Sequence, residues 1–229
     1  MKLRFSAVAV VVLLVLLSGA VLPLAPTAGA ATAVAAWKMD EPVGATTMDD
    51  AVDGHDGTLR NVQTGVPGWQ GNAYRFDGSS SVAVVPASSA FNPGNANFSF
   101  GMHVNFTTVP SAAVGDYDLL RGPTRGAYKL EIVARNNRTQ AKALCFFQGS
   151  AAKATLVAGP NLADGNWHAL ECRKTAGAIQ LVVDGVTFTK AVTVGSLTNT
   201  APLSLGAKSY SGGGDWYQGL MDEAWVAVN

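Results

Sequence analysis

Acidic side chains crowd one short stretch near the start of this sequence: Asp40 and Glu41, then Asp49, Asp50 and Asp53. Carboxylates are hard oxygen donors of the kind calcium takes, six to eight at a time together with backbone carbonyls. The same residues also cap turns by accepting backbone N–H bonds. One more carboxylate, Asp222, falls in the apolar run Leu220–Val228. Simple alternation puts it on one side with Leu220, Ala224, Val226 and Val228 and therefore buries it. A buried charge needs backbone N–H groups, a cation or a metal.

A second kind of chemistry is offered by the loop Tyr210–Tyr217. Three consecutive glycines, Gly212 to Gly214, are flanked there by Tyr210, Asp215, Trp216 and Tyr217. Aromatic faces beside a flexible polar loop suit stacking on a sugar ring, with Asp215 taking its hydroxyls. The alternative is a plain hairpin tip whose flanking aromatics are buried. Arg121, Arg125, Arg135 and Arg138 are candidates to line the same surface.

Catalytic constellations are not found. A retaining glycoside hydrolase needs two carboxylates about 5 to 5.5 Å apart. None of the glutamates Glu41, Glu131, Glu171 and Glu223 is followed two residues later by an aspartate. No Gly-x-Ser-x-Gly elbow occurs, and His55, His103 and His168 lack metal-ligand spacing. The chain therefore reads as non-catalytic.

These residues have to be positioned by strands. Phe98, Phe100, Met102, Val104 and Phe106 alternate with small and polar residues, the clearest two-residue period in the chain. Tyr128, Leu130, Ile132 and Ala134 repeat the pattern, and Asn136-Asn137 then predicts a hairpin into Ala141–Gln148. The stretch Trp167–Lys190 predicts three strands in meander order, linked around Thr175–Gly177 and by the tight turn Asp184-Gly185. Its phase is read as placing Trp167 in the core. Further strands are expected at Val34–Met39, Thr58–Val62, Tyr74–Phe76, Ser81–Val85, Tyr117–Arg121, Ala154–Ala158, Leu203–Leu205 and Trp216–Val228, with a short helix near Ser88–Phe91. So many short strands with frequent turns predict an all-β fold, two antiparallel sheets packed face to face.

The first thirty residues form a basic start, Met1–Arg4, an apolar run from Ala7 to Leu17 and a small-residue end at Ala28-Gly29-Ala30. That layout predicts a secretory signal peptide cleaved after Ala30, leaving residues 31–229 as one extracellular domain with no membrane span. Cleavage removes two basic residues and no acidic ones, so 16 of each become 14 against 16, a balance of −2. Nothing in that balance attracts nucleic acid. In an oxidising compartment Cys145 and Cys172, the only cysteines, are expected to form a disulfide. Their strands must then lie side by side or face each other across the core.

Five pieces stand in a fixed order: Trp37–Glu41, Asp49 through Asp56–Leu59, Phe76-Asp77-Gly78, Asp164–His168 with Val183–Gly185, and Gly219–Trp225. Together they resemble the LamG-like jelly-roll domains of the concanavalin A-like lectin/glucanase superfamily, over about Val34 to Asn229. The resemblance implies a jelly-roll sandwich with its first and last strands adjacent. It also implies recognition of carbohydrate or a glycoprotein, sometimes assisted by calcium. Adjacent end strands would carry the early acidic group toward Asp222, so one structural calcium ion held by Asp49 or Asp53, Asp222 and loop carbonyls is one expectation, and turn capping by the same carboxylates the other. The early loop departs from the family's pattern at Val52, Asp53 and His55.

Overall fold

Alternation along the chain is realised as two stacked sheets with the apolar half of each strand between them. A computed structural model describes residues 32–122, 128–209, 211 and 213–228. In chain order the strands are β1 (Thr32–Trp37), β2 (Thr47–Met48), β3 (Gly57–Arg60), β4 (Gln63–Pro67), β5 (Asn72–Asp77) and β6 (Val82–Val85). A single 3-10 turn, Ser89–Phe91, follows, capped by the Ser88 hydroxyl. Then come β7 (Phe98–Asn105), β8 (Tyr117–Arg121), β9 (Tyr128–Arg135), β10 (Gln140–Gln148) and β11 (Lys153–Ala158). The last are β12 (Trp167–Lys174), β13 (Ala178–Val183), β14 (Val186–Ala191), β15 (Leu203–Leu205) and β16 (Gln218–Val228).

One sheet runs β14-β13-β12-β7-β16-β5-β4, with β1 also on β16; the other runs β11-β10-β9-β8-β15-β6-β3-β2. The signal-peptide reading falls on residues outside the described ones. No helix among the described residues is long and apolar enough to cross a membrane.

Both expected turns of the meander are present. Asp184 and Gly185 adopt φ of 49° and 80°, the doubly left-handed turn that matches the twist of paired strands. Asp184 does more than turn the chain. Its carboxylate accepts from Ala169 N (2.9 Å) and meets His168 Nδ1 (2.8 Å), while His168 Nε2 meets Asp164 (3.1 Å). Burial lowers the basicity of His168, but its bonds to Asp184 and Asp164 outweigh this and hold it above the ordinary histidine value.

Among the described residues the core contains three aromatic groups, the smallest being Trp37 with Phe91. Phe98, Phe100, Tyr128 and Phe147 meet at one end, and Phe76, Phe106, Tyr117 and Tyr217 at the other. Each fully buried ring contributes about 2–3 kcal/mol by transfer from water. Tyr217, expected to face a ligand, is thus a core residue, its hydroxyl donating to Leu220 O at 2.7 Å. Trp167 departs in the opposite sense. Inward positions on β12 are His168, Leu170 and Cys172, which leaves Trp167 half-buried on the outer face. The phase was legible, but which side it buried was set by Cys172.

Cys145 on β10 and Cys172 on β12 are bonded, both fully buried, with Cα atoms 5.6 Å apart. Since β10 and β12 belong to different sheets, the bridge crosses the core. It pins the layers well inside the usual face-to-face spacing of roughly 10 Å.

β16 is irregular where the expectation for Asp222 assumed regularity. One edge pairs with β7, and the other pairs with β5 over Gln218–Met221 and with β1 over Ala224–Val228. At the changeover lies a bulge between Asp222 and Trp225, with Glu223 at φ 50°. Met221, Ala224 and Val226 enter the core, so the extra residue turns Asp222 to the outer face. Asp222 is buried as expected, but not beside Ala224 and Val226. It lies beneath the β4–β5 turn, accepting from Gln70 N (3.0 Å) and Glu223 N (2.8 Å).

Candidate functional site

On the outer face of the second sheet, strand register aligns two rows of side chains. Asp118 on β8 stands opposite Glu131 on β9, which stands opposite Leu144 on β10. In the next row Arg121 stands opposite Lys129, then Phe146, then Thr155 on β11. A register shift between Asp118 and Leu120 buries both Leu119 and Leu120 while leaving Asp118 and Arg121 on the same face. All side chains of the two rows but Asp118, which lies beneath, line an open groove of about 420 Å³, completed by Gln148 and Lys153. The Lys129 and Lys153 ammonium groups lie 5.5 and 5.3 Å from the Phe146 ring centre, within the range where a cation is drawn to a ring.

The groove floor is ionic and buried. Asp118 is fully buried and Glu131 is 2% exposed. Arg121 Nη1 binds Asp118 Oδ2 at 2.9 Å and lies 3.6 Å from Glu131 Oε1, to which Lys129 Nζ also donates. Burial, then the Asp118 charge and a hydrogen bond to Asp118, push the Glu131 carboxyl up to about 8 against the opposing pull of Lys129. Asp118 Oδ1 has no donor among the ordinary partners. The two carboxyls thus share one buried row, and their proximity and burial favour the neutral form of Glu131.

That raised carboxyl makes stability depend on pH. Glu131 binds its proton more tightly folded than unfolded, so this contribution is complete below the ordinary carboxyl value and disappears as pH rises through about 8. Between pH 6 and pH 9 the protein is expected to lose on the order of 2 kcal/mol from this pair. Glu131→Gln, which keeps a donor for Asp118 but no titrating proton, is expected to flatten the dependence. Thermal melts of both proteins across that range check it.

The loop singled out by its glycines borders this groove. Asp215 O accepts from Asp118 N at 3.0 Å, and the Asp215 carboxylate pairs with Lys208 at 3.0 Å. Asp215 is therefore engaged rather than free, and Trp216 is half-buried. Tyr210 lies outside the described residues, as does Arg125. Arg121 does line the groove. Arg138 is used elsewhere, donating to Pro110 O.

The acidic residues expected to hold calcium are not brought together. Asp49 and Asp53 are exposed, and Asp222 is committed to backbone amides below the β4–β5 turn. The organiser of the early loop is Asp50. It accepts from the amides of Ala36, Val52, Asp53 and His55 at 2.8 to 3.1 Å. Although burial acts against it, those four amides hold Asp50 below the ordinary carboxylate value. Among the described residues no group of three or more His, Cys, Asp or Glu is arranged to hold a metal ion.

No curated protein matches the sequence. The fold is similar to domains LG4-5 of the mouse laminin alpha1 chain, at 20% identity over 67% of this chain and 40% of that one, TM-score 0.53. It is similar to the binding domain of Paraclostridial mosquitocidal protein 1, at 12% identity over 84% and 48%, TM-score 0.66. The chain thus spans less than half of either. It is also similar to domain 4 of AbnA, a GH43 extracellular arabinanase from Geobacillus stearothermophilus solved with arabinotriose, at 16% identity over 87% and 93%, TM-score 0.61. At these identities the likeness concerns the fold. Residues 76–227 match the family described as the concanavalin A-like lectin/glucanases superfamily, and the chain belongs to it.

Proposed function

We propose that this protein is a secreted, non-catalytic recognition module that binds acidic carbohydrate in the groove over Asp118 and Glu131. The observation that carries the reading is the groove's charge. Arg121, Lys129 and Lys153 line the groove together with one carboxyl, Glu131, and the Phe146 ring, so cationic side chains outnumber acidic ones in the lining. A sugar ring bearing a carboxylate or sulfate matches such a surface in both shape and sign. Secretion is supported by the leader-like residues 1–30 and by the Cys145–Cys172 bridge. The binding domain of Paraclostridial mosquitocidal protein 1 and domain 4 of AbnA, solved with arabinotriose, share this fold and support the same reading.

The carboxyl pair argues for binding rather than hydrolysis. Asp118 is fully buried and bound to Arg121, and Glu131 is 2% exposed and bound to Lys129, whereas glycoside cleavage needs two carboxyls that both reach the sugar between them. Titrating 3′-sialyllactose and digalacturonic acid into the protein by calorimetry is expected to give saturable binding that weakens with salt. Lys153→Glu is expected to reduce affinity at least tenfold without moving the melting temperature, because Lys153 is exposed. Unaltered affinity in Lys153→Glu, or release of reducing sugar during incubation, would overturn the reading.

A further inference from the structure

We propose that the outer face of the other sheet is a second carbohydrate site, taking the apolar face of a neutral pyranose on Trp69 and a neighbouring sugar in the hollow beside His103. It shares with the groove the carbohydrate reading of the domain but uses none of the same residues.

Trp69 is 54% exposed, the most exposed aromatic ring among the described residues. Its other face is covered, because the indole stacks on His103 with ring centres 5.0 Å apart and planes inclined by 10°. The open face is therefore flat and held in place. That fixity has a visible cause. Trp69 sits in the β4–β5 turn, closed by Gly68 N to Gly71 O at 3.0 Å, with Gly71 at φ 66°. Two carboxylates reach in from other parts of the chain to fix it. Asp222 takes Gln70 N, and Asp40 takes Asn72 N at 2.7 Å. A buried carboxylate and a second one are thus both bound to the turn that carries this exposed ring.

His103 joins this ring to a hollow of about 280 Å³ whose lining includes Trp225, Ala169, Val182, Glu171 and Arg173. The Trp225 ring lies against Gly101, where an added Cβ would meet Leu170 O at 2.5 Å and the indole at 3.0 Å, so the glycine lets both the neighbouring strand and the indole wall come close. At the polar end Glu171 and Arg173 form a two-pronged pair, Nε and Nη2 at 2.6 and 2.7 Å. The remaining guanidinium edge and carboxylate lone pairs are left for hydroxyls. Flat indoles with a few fixed polar groups in a space the size of one sugar suit the C–H face of a pyranose. A protein partner would need on the order of 800 Å² per side.

The test is NMR titration of the full secreted chain with cellotriose, mannotriose and galactotriose. At least one is expected to shift the Trp69 indole N–H and His103 ring signals saturably. Trp69→Ala is expected to weaken that binding at least tenfold while leaving the melting temperature within about 2 °C, and Trp69→Phe to restore part of it. Lys153→Glu, which disables the groove, is expected to leave it intact. Silence at Trp69 and His103 with all three sugars, or equal binding by Trp69→Ala, overturns this inference, whatever the groove does with sialyllactose. A response at Trp69 with no acidic sugar bound in the groove would sustain it and sink the groove assignment instead.

Discussion

Converting Cys145 and Cys172 together to alanine is expected to lower the thermal midpoint by about 10 °C. The bridge closes a loop of 27 residues in sequence separation. In the chain-entropy account, cross-linking a loop of that length removes about 3.5 kcal/mol of unfolded-state freedom. A domain of this size loses roughly 2–4 °C per kcal/mol. A further cost arises in the native state, since both sulfurs are fully buried and their removal leaves a small void between the sheets. Calorimetry of the double variant beside oxidised and reduced wild type separates the two contributions. Reduction alone removes the cross-link but keeps the sulfurs. A shift below about 3 °C in the double variant would mean that the layers are held by packing alone.

Asp222→Ala is expected to cost about 3 kcal/mol and, unlike the cysteine change, to disturb one outer surface selectively. The amides of Gln70 and Glu223 would lose their acceptor in a place water does not reach, and that of Trp69 with them. Each stranded buried donor costs about 1–3 kcal/mol. Asp222→Asn, which retains an acceptor oxygen, is expected to cost less than half as much. Burial holds the Asp222 carboxyl above its ordinary value, so the wild-type contribution falls as pH rises through that raised value, and Asn removes this dependence. Chemical denaturation gives the energies, and loss of the Trp69–His103 stack is read from the ring-current shift of His103. Because the partners are amides, adding millimolar calcium to chelated protein is expected to leave the midpoint unchanged; a rise would show that a cation reaches these oxygens after all.

The fold was readable because its signals are local. Alternation along Phe98–Phe106 needs no partner strand to be recognised, and Asp184-Gly185 declares its turn through backbone preference alone. The site was less readable because it depends on register. Lys129 and Glu131 are visible on one side of β9, yet nothing local announces that Glu131 faces Asp118, thirteen residues earlier and past a bulge. The same holds for β16, where one residue with left-handed backbone, Glu223, reverses the side on which Asp222 emerges. Strand β4 escaped notice for a related reason: Gln63–Pro67 contains a glycine and ends in proline, and is a strand because β5 lies beside it. The glycine-rich loop was legible as a loop from composition, but the contact of Asp215 O with Asp118 N was not, because it joins two segments far apart in sequence.

Thr32 is paired with Val228 at the outer end of the β1–β16 ladder. Tension applied through both ends would peel that ladder open one hydrogen bond at a time, since the load falls on a single rung rather than on the row together. A bridge between the layers does not protect against this, because neither β1 nor β16 contains a cysteine. Under traction the protein is therefore expected to shed its first strand at low force while the remaining sheets, clasped at Cys145 and Cys172, stay closed.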